Sequence, residues 1–282
     1  MTPIEFKQCH GGLSFNVSER YPNLQICRGG SFIADYARTI AEWCIAASLE
    51  LVFQLGSVTT QMKECAWSES APSCPRHSTF GTRPALMNMT LGIVGYGHVG
   101  KQVAQLGSAL FGSVVGSSPG VSGPAPAPLS WWSTNNDDVL RVSDLIVLSF
   151  FDHGPDTVGL INSTAFSLMK RGARVVMFVG SLGVDEEAAF KSVQSGHLAG
   201  LAINQWWERW SWRSPRGQPS WFDDNWGFAP PSRYRFDQLP NVLMGANSCE
   251  KSDEYWRGCA KFVAQRLAEV SNGTLSCGVD AP

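Results

Sequence analysis

Residues Thr90–Gly116 read TLGIVGYGHVGKQVAQLGSALFGSVVG, and the order of elements within them sets the architecture of the whole chain. A short apolar run ends in three glycines spaced G-x-G-x-x-G, at Gly95, Gly97 and Gly100. Helical spacing follows, and then a second strand-like run at Ser113–Val115. Strand, glycine turn, helix and strand make one βαβ unit. In that setting the glycines have separate duties. Gly95 permits a tight turn, Gly97 lets a pyrophosphate approach the backbone, and Gly100 lets helix and strand pack, while the helix N-terminus supplies positive potential. With Tyr96, His98 and Val99 they form a candidate cofactor-binding turn, which implies NAD or NADP, or a vestigial pocket for one. An acidic residue about 20 positions further on usually anchors the ribose. This chain has Ser117, Ser118 and Pro119 there, with no arginine beside them.

Beyond this unit the alternation continues. Pro119–Pro128 is a loop of Pro, Gly, Ser and Ala. LIVLSFF (145–151) and RVVMFV (174–179) are continuous apolar runs of strand length, as expected of parallel strands covered on both faces. INSTAFSLMKRG and VDEEAAFKSVQSGHLAG have helical spacing with glycine stops, and LAGLAIN gives a further strand. The pattern predicts an α/β fold with a doubly wound parallel sheet. Upstream, Ile33, Ala37, Ile40, Cys44, Ala47 and Leu51 recur at helical steps, predicting a long helix from Ser31 to Gly56. Residues 57–84 read as a surface loop. Tyr255, Cys259, Phe262, Val263 and Leu267 predict a C-terminal helix over Asp253–Glu269.

The 282 residues carry 16% charged side chains and a formal charge of -2, which argues against nucleic-acid or anionic-membrane partners. No apolar stretch reaches the ~18 uncharged residues of a membrane span. The N-terminus lacks a basic-then-apolar signal pattern, and the eight cysteines contain no CxxC pair. A cytosolic protein with reduced thiols and no metal site is expected.

Several segments together resemble the D-isomer-specific 2-hydroxyacid dehydrogenases: GIVGYGHVGK, SDLIVLSFFDHGPDTVGLINSTAFSLMKRGA, VDEEAAFKSVQSGHLAGLAIN and SRYRFDQLPNVLM. The resemblance runs from Ile4 onward and implies a Rossmann-type domain over 31–247. It includes an interdomain helix at 31–56 and a Trp-rich cleft loop at 204–237. Residues 1–30 would be a truncated remnant of the substrate domain, and 248–282 a C-terminal helix returning to the interdomain region. The family reduces 2-oxo acids with an arginine that grips the substrate and a histidine, oriented by a carboxylate, that donates the proton. The arginine's place falls among Gly180, Ser181, Leu182 and Gly183. The histidine's place holds Asn247, Asn204 replaces the usual Asp, and Glu208 is the stand-in carboxylate. Loss of an acid–base group costs about 10² to 10⁴ in rate. His10, beside Gly11 and Gly12 on a loop that in the family offers N–H groups to the substrate, and His153, at the sheet edge, are the candidate replacements.

Six of the 11 tryptophans lie between Asn204 and Asp237. Trp206, Trp207 and Trp210, with Gly11 and Gly12, are therefore expected to wall a site for a bulky apolar metabolite. Closure of a core, or of a homodimer face, is the alternative use of these rings. The first functional reading is a repurposed member catalysing a non-redox step (an isomerase, cyclase or pericyclase) with Asn247, Ser181 or a Trp N–H as donors. The second is an NAD(P)-dependent 2-oxo-acid oxidoreductase, and the third a non-catalytic binding or scaffold protein.

Overall fold

A computed structural model describes residues 4–5, 25–26, 33–64, 83–120, 122–150, 156–178, 182–207, 232–246 and 248–274. Strands β1 (Ile4–Glu5) and β2 (Gln25–Ile26) pair in parallel as a separate two-stranded sheet. The main sheet has seven parallel strands: β3 (Thr90–Val94), β4 (Ser113–Ser117), β5 (Trp131–Ser133), β6 (Leu145–Leu148), β7 (Arg174–Met177), β8 (Gly200–Ile203) and β9 (Val242–Met244). Their order is β5-β4-β3-β6-β7-β8-β9. The chain moves outward from β3 to β5, returns to lay β6 against the other side of β3, and moves outward again. The doubly wound, Rossmann-type sheet expected from the sequence is therefore present, with its switch point between β3 and β6.

The central strands are apolar over most of their length because both faces are covered. In β6, Leu145 and Val147 face helices α1 (Ile33–Phe53) and α3 (His98–Gly107), and Ile146 and Leu148 face the opposite layer. That layer holds α4 (Asn136–Val142), α5 (Ser163–Leu168) and α6 (Glu186–Gln194). The C-terminal helix α7 (Asp253–Ser271) lies against α1, where the rings of Tyr36 and Tyr255 are 5.9 Å apart and Thr39 and Ser252 share a 3.1 Å hydrogen bond.

The expected helix 31–56 and loop 57–84 need correction. The first helix stops at Phe53, Gln54 takes a left-handed φ of 53°, and a second helix, α2, runs over Leu55–Glu64 at 53° to the first. Gly56 does not end a helix. Its N–H donates to the Glu50 carboxylate at 3.0 Å, so the side chain that closes one helix supports the start of the next. Strand β5 and helix α4, in a stretch to which the sequence pattern assigns no element, also form. Asn135 caps α4 by accepting the Asp137 N–H at 3.0 Å. Among the described residues no single helix is long and apolar enough to cross a membrane. The bent pair α1–α2 passes such a test by length and composition, but α1 buries Ile40, Ala41, Cys44 and Leu51 against the sheet.

Trp206 and Trp207, expected to wall a ligand site, pack in the hydrophobic core. They are 7% and 8% exposed, Trp207 stacks on Phe236 at 5.4 Å, and Phe236 meets Phe190 edge-on at 5.2 Å. Both indole N–H groups are used internally: Trp206 Nε1 donates to the Gly245 carbonyl and Trp207 Nε1 to the Val184 carbonyl, each at 2.8 Å. A buried indole N–H ordinarily finds such an internal acceptor. Phe236→Ala should lower the unfolding free energy by about 3–5 kcal/mol, read by urea denaturation. A loss below about 1 kcal/mol would show that the three rings do not share one core.

Candidate functional site

The carboxyl ends of the strands form a row. Strand registers pair Val94 with Leu148, Leu148 with Met177, Met177 with Ile203, and Ile203 with Met244. One step further on, Gly95, Ser149, Phe178, Asn204 and Gly245 lie side by side along the sheet edge. In open α/β sheets ligands occupy the crevice outside this edge at the switch point, which here is Gly95 beside Ser149.

Gly95 has φ +97°, and a Cβ there would sit 2.5 Å from the Ser149 carbonyl oxygen. Its N–H donates to the Ser117 carbonyl at 2.9 Å, and the Ser149 N–H to the Val94 carbonyl at 2.7 Å, so the turn is wired to both neighbouring strands. At Gly100 a Cβ would sit 2.3 Å from the Gly95 carbonyl, which leaves glycine as the residue that lets α3 approach β3. Gly97 is different in kind. Its φ of −87° suits any residue, and an added Cβ would meet nothing within 4 Å. The space over Gly97 is open, and Gly97 is also the N-cap of α3, with no side chain capping the helix. Helices α4 to α7 are each capped by a side chain, namely Asn135, Asn162, Asp185 and Ser252. The first-turn N–H groups of α3 are left for an anion.

The side chains around the turn divide between packing and exposure. Tyr96 is buried, with its ring edge-on to Trp132 at 6.3 Å and over Gly116, and burial raises its phenol pKa above the usual range. His98 is exposed and Val99 half-buried. At the end of β4, Ser117 is fully buried and its Oγ donates to Asn136 Oδ1 at 2.7 Å, while the Ser118 N–H donates to the Ser133 carbonyl. The carboxylate described nearest to them through these bonds is Asp138, which accepts the Ser133 hydroxyl at 2.6 Å.

On the far side of the switch point, Asn204 is completely buried. Its Oδ1 accepts the Ser248 N–H at 3.2 Å, and its Nδ2 has no partner among the described residues. Ser149, which the sequence reading did not single out, has a buried Oγ without a partner. A lone hydroxyl closing an otherwise apolar strand run was the available signal. His10, Gly11, Gly12, His153, Ser181, Glu208, Trp210 and Asn247 lie outside the described residues. Among those described, no cluster of His, Cys, Asp and Glu could hold a metal ion, and Cys44, Cys249 and Cys259 are free, buried thiols. Burial pushes the Cys44 thiol far up, out of the range in which it ionises.

Residues 45–245 match the family described as D-isomer specific 2-hydroxyacid dehydrogenase, NAD binding domain. The chain belongs to this family. Among curated relatives, D-3-phosphoglycerate dehydrogenase of Dictyostelium discoideum is 30% identical over 86% of this chain and 53% of its own length. The enzyme of the same name from Rattus norvegicus is 31% identical over 81% of this chain and 37% of its own length. The chain thus spans about half or less of these relatives. Two solved structures share the fold at low identity. A D-lactate dehydrogenase with NAD+ from Lactobacillus jensenii has a TM-score of 0.73 at 19% identity, covering 96% of this chain and 75% of its own. The NAD-complexed D-isomer specific 2-hydroxyacid dehydrogenase of Lactobacillus delbrueckii ssp. bulgaricus has 0.71 at 22%, covering 93% and 73%.

The geometry separates two classes of glycine. Gly97→Val should leave the melting temperature of the protein close to wild type while abolishing NADH binding, because it fills the open space and nothing else. Gly95→Ala should destabilise the fold by about 1–3 kcal/mol through its left-handed backbone and carbonyl clash. Calorimetric melting and fluorescence titration check both, and NADH binding undiminished in Gly97→Val would remove the turn from the site.

Proposed function

We propose that this chain is an NAD(P)-dependent oxidoreductase domain whose substrate is a small 2-oxo or 2-hydroxy acid. The observation that carries the reading is the pairing of open space over Gly97 with an uncapped α3 N-terminus, in a chain of this family. The residues fit a dinucleotide. Gly97 and the first-turn N–H groups of α3 would hold its pyrophosphate, Lys101, exposed in that same turn, would add positive charge, and Gly95 fixes the turn. When bound, the nicotinamide supplies hydride chemistry. The protein's part is to orient the acid at the β6–β8 edge and to exclude water.

The family-matched place for the guanidinium falls among Gly180, Ser181, Leu182 and Gly183, and that for the imidazole holds Asn247. Slow turnover is part of the reading, since loss of general acid–base help lowers rates by about 10² to 10⁴. The family match favours the oxidoreductase over a non-redox step, and Trp206 and Trp207 pack in the core with both N–H groups used. A cytosolic setting goes with the oxidoreductase reading, supported by the three buried free thiols.

Titration of the full chain with NADH and NADPH, followed by nicotinamide absorbance with glyoxylate, pyruvate and hydroxypyruvate, tests this directly. Binding of one dinucleotide and slow, acid-dependent oxidation of it are expected. Failure to bind either dinucleotide overturns the reading, and binding without turnover on any acid reduces it to a dinucleotide-binding protein.

A further inference from the structure

The end of β4 departs from the pattern in which an acidic residue selects the dinucleotide. Val94, Ser117 and Ser133 form the register row that closes β3, β4 and β5, with neighbouring backbones about 4.8 Å apart. The Gly95 N–H donates to the Ser117 carbonyl at 2.9 Å, so the glycine turn and this row are joined directly.

The donors at the row are mostly engaged within the protein. Ser117 Oγ is buried and donates to Asn136 Oδ1 at 2.7 Å, and the Ser118 N–H donates to the Ser133 carbonyl at 3.1 Å. From Gly116 to Asn136 the chain has no charged residue, so this stretch brings no cation to a 2′-phosphate.

The charges that the row does hold are negative. Ser133 Oγ donates to Asp138 Oδ2 at 2.6 Å and accepts the Asn135 N–H at 3.0 Å, which fastens the start of α4 to the end of β5. Asp138 is exposed, its neighbour Asp137 is half-buried, and among the described residues neither enters an ion pair. Arg141 lies in the last turn of α4, further from the row. Two strand spacings, about 10 Å, separate β5 from β3, well inside the ~30 Å over which charges act at low salt.

We propose that Asp138, with Asp137 beside it, takes over from α4 the selection that an acidic strand end would make, and gives this chain a preference for NADH over NADPH. This rests on the oxidoreductase reading and deepens it by naming the dinucleotide. The discrimination works by exclusion. A 2′-phosphate brings about two negative charges to a rim with carboxylates and no cation of its own, whereas a 2′-hydroxyl brings none. Because the carboxylates act across space and not by replacing Ser118, the preference depends on ionic strength. The Ser133 bond matters here, since it keeps the Asp138 charge at the row.

Fluorescence titration of the full chain with NADH and with NADPH, at about 10 mM and about 300 mM salt, reads the preference as a ratio of dissociation constants. Attraction of the pyrophosphate is common to both probes, so the ratio isolates the 2′-phosphate. At low salt NADH should bind about tenfold more tightly than NADPH, and the ratio should shrink at high salt. Asp138→Asn keeps an acceptor for Ser133 and removes the charge. It should tighten NADPH about fivefold while leaving NADH within about twofold, and adding Asp137→Asn should bring the ratio close to one. Melting followed by circular dichroism checks that the variants fold. Should Asp138→Asn fail to fold, Asp137→Asn and the salt dependence of the wild-type ratio decide. Equal affinity of wild type for the two dinucleotides, tighter binding of NADPH, or a ratio unmoved by charge removal and by salt overturns this proposal and leaves the oxidoreductase reading standing. Wild-type protein that binds neither NADH nor NADPH overturns both.

Discussion

Between Gly95 and the carbonyl of Ser149 there is no room for a side chain, since a Cβ would come within 2.5 Å. That contact exists because β6 returns to lie against β3 after two strands have been laid on the other side. It forces the turn after β3 into a left-handed conformation that glycine adopts without cost. The turn in turn aims α3 so that its first N–H groups open on the crevice, and Gly100 lets the helix sit close enough to the sheet to hold that direction. Everything assigned to the dinucleotide side follows from this one approach of two backbones.

The two sides of the crevice have kept different amounts of the family's equipment. At β3 and α3 the glycine spacing, the open space and the uncapped helix are all present, while the strand end at Ser117 and Ser118 closes on Asn136 and Ser133 in place of an acidic anchor. At β6 to β9 the row is uncharged, and its polar members Ser149 and Asn204 carry buried atoms with no partner among the described residues. A neutral amide can orient an oxygen, but it cannot take up or give a proton at ordinary pH. Binding and orientation are therefore the contributions this rim can make most directly.

The sheet was legible because parallel strands buried on two faces read as continuous apolar runs, as LIVL and GLAI do throughout and RVVM does after Arg174 at its base. The glycine turn was legible because its spacing encodes geometry. What escaped has equally physical causes. Gln54 breaks the first helix through a backbone conformation that no composition announces, and the nearby Gly56 offered a more familiar stop. Strand β5 is short and its Trp131 half-exposed, so WWS carried no alternation to read. The tryptophans after β8 could be counted, but whether they face a ligand or a core depends on Phe236, which reaches them from beyond a long intervening segment. Ser149 was hidden inside a run valued for its apolarity.

The opposite rim of the sheet is built on other lines. Asp144 accepts the Thr90 N–H at 2.8 Å and the Lys170 ammonium at 2.8 Å, and its carbonyl takes the Arg174 N–H, while Arg174 Nε reaches the Leu51 carbonyl in the last turns of α1. One residue thus clasps three adjacent strands at their origins, and its neighbour fastens a covering helix to them. A scaffold tied at its base tolerates rewriting at its mouth. A side chain along one margin can be exchanged without the change travelling down the ladders to the other.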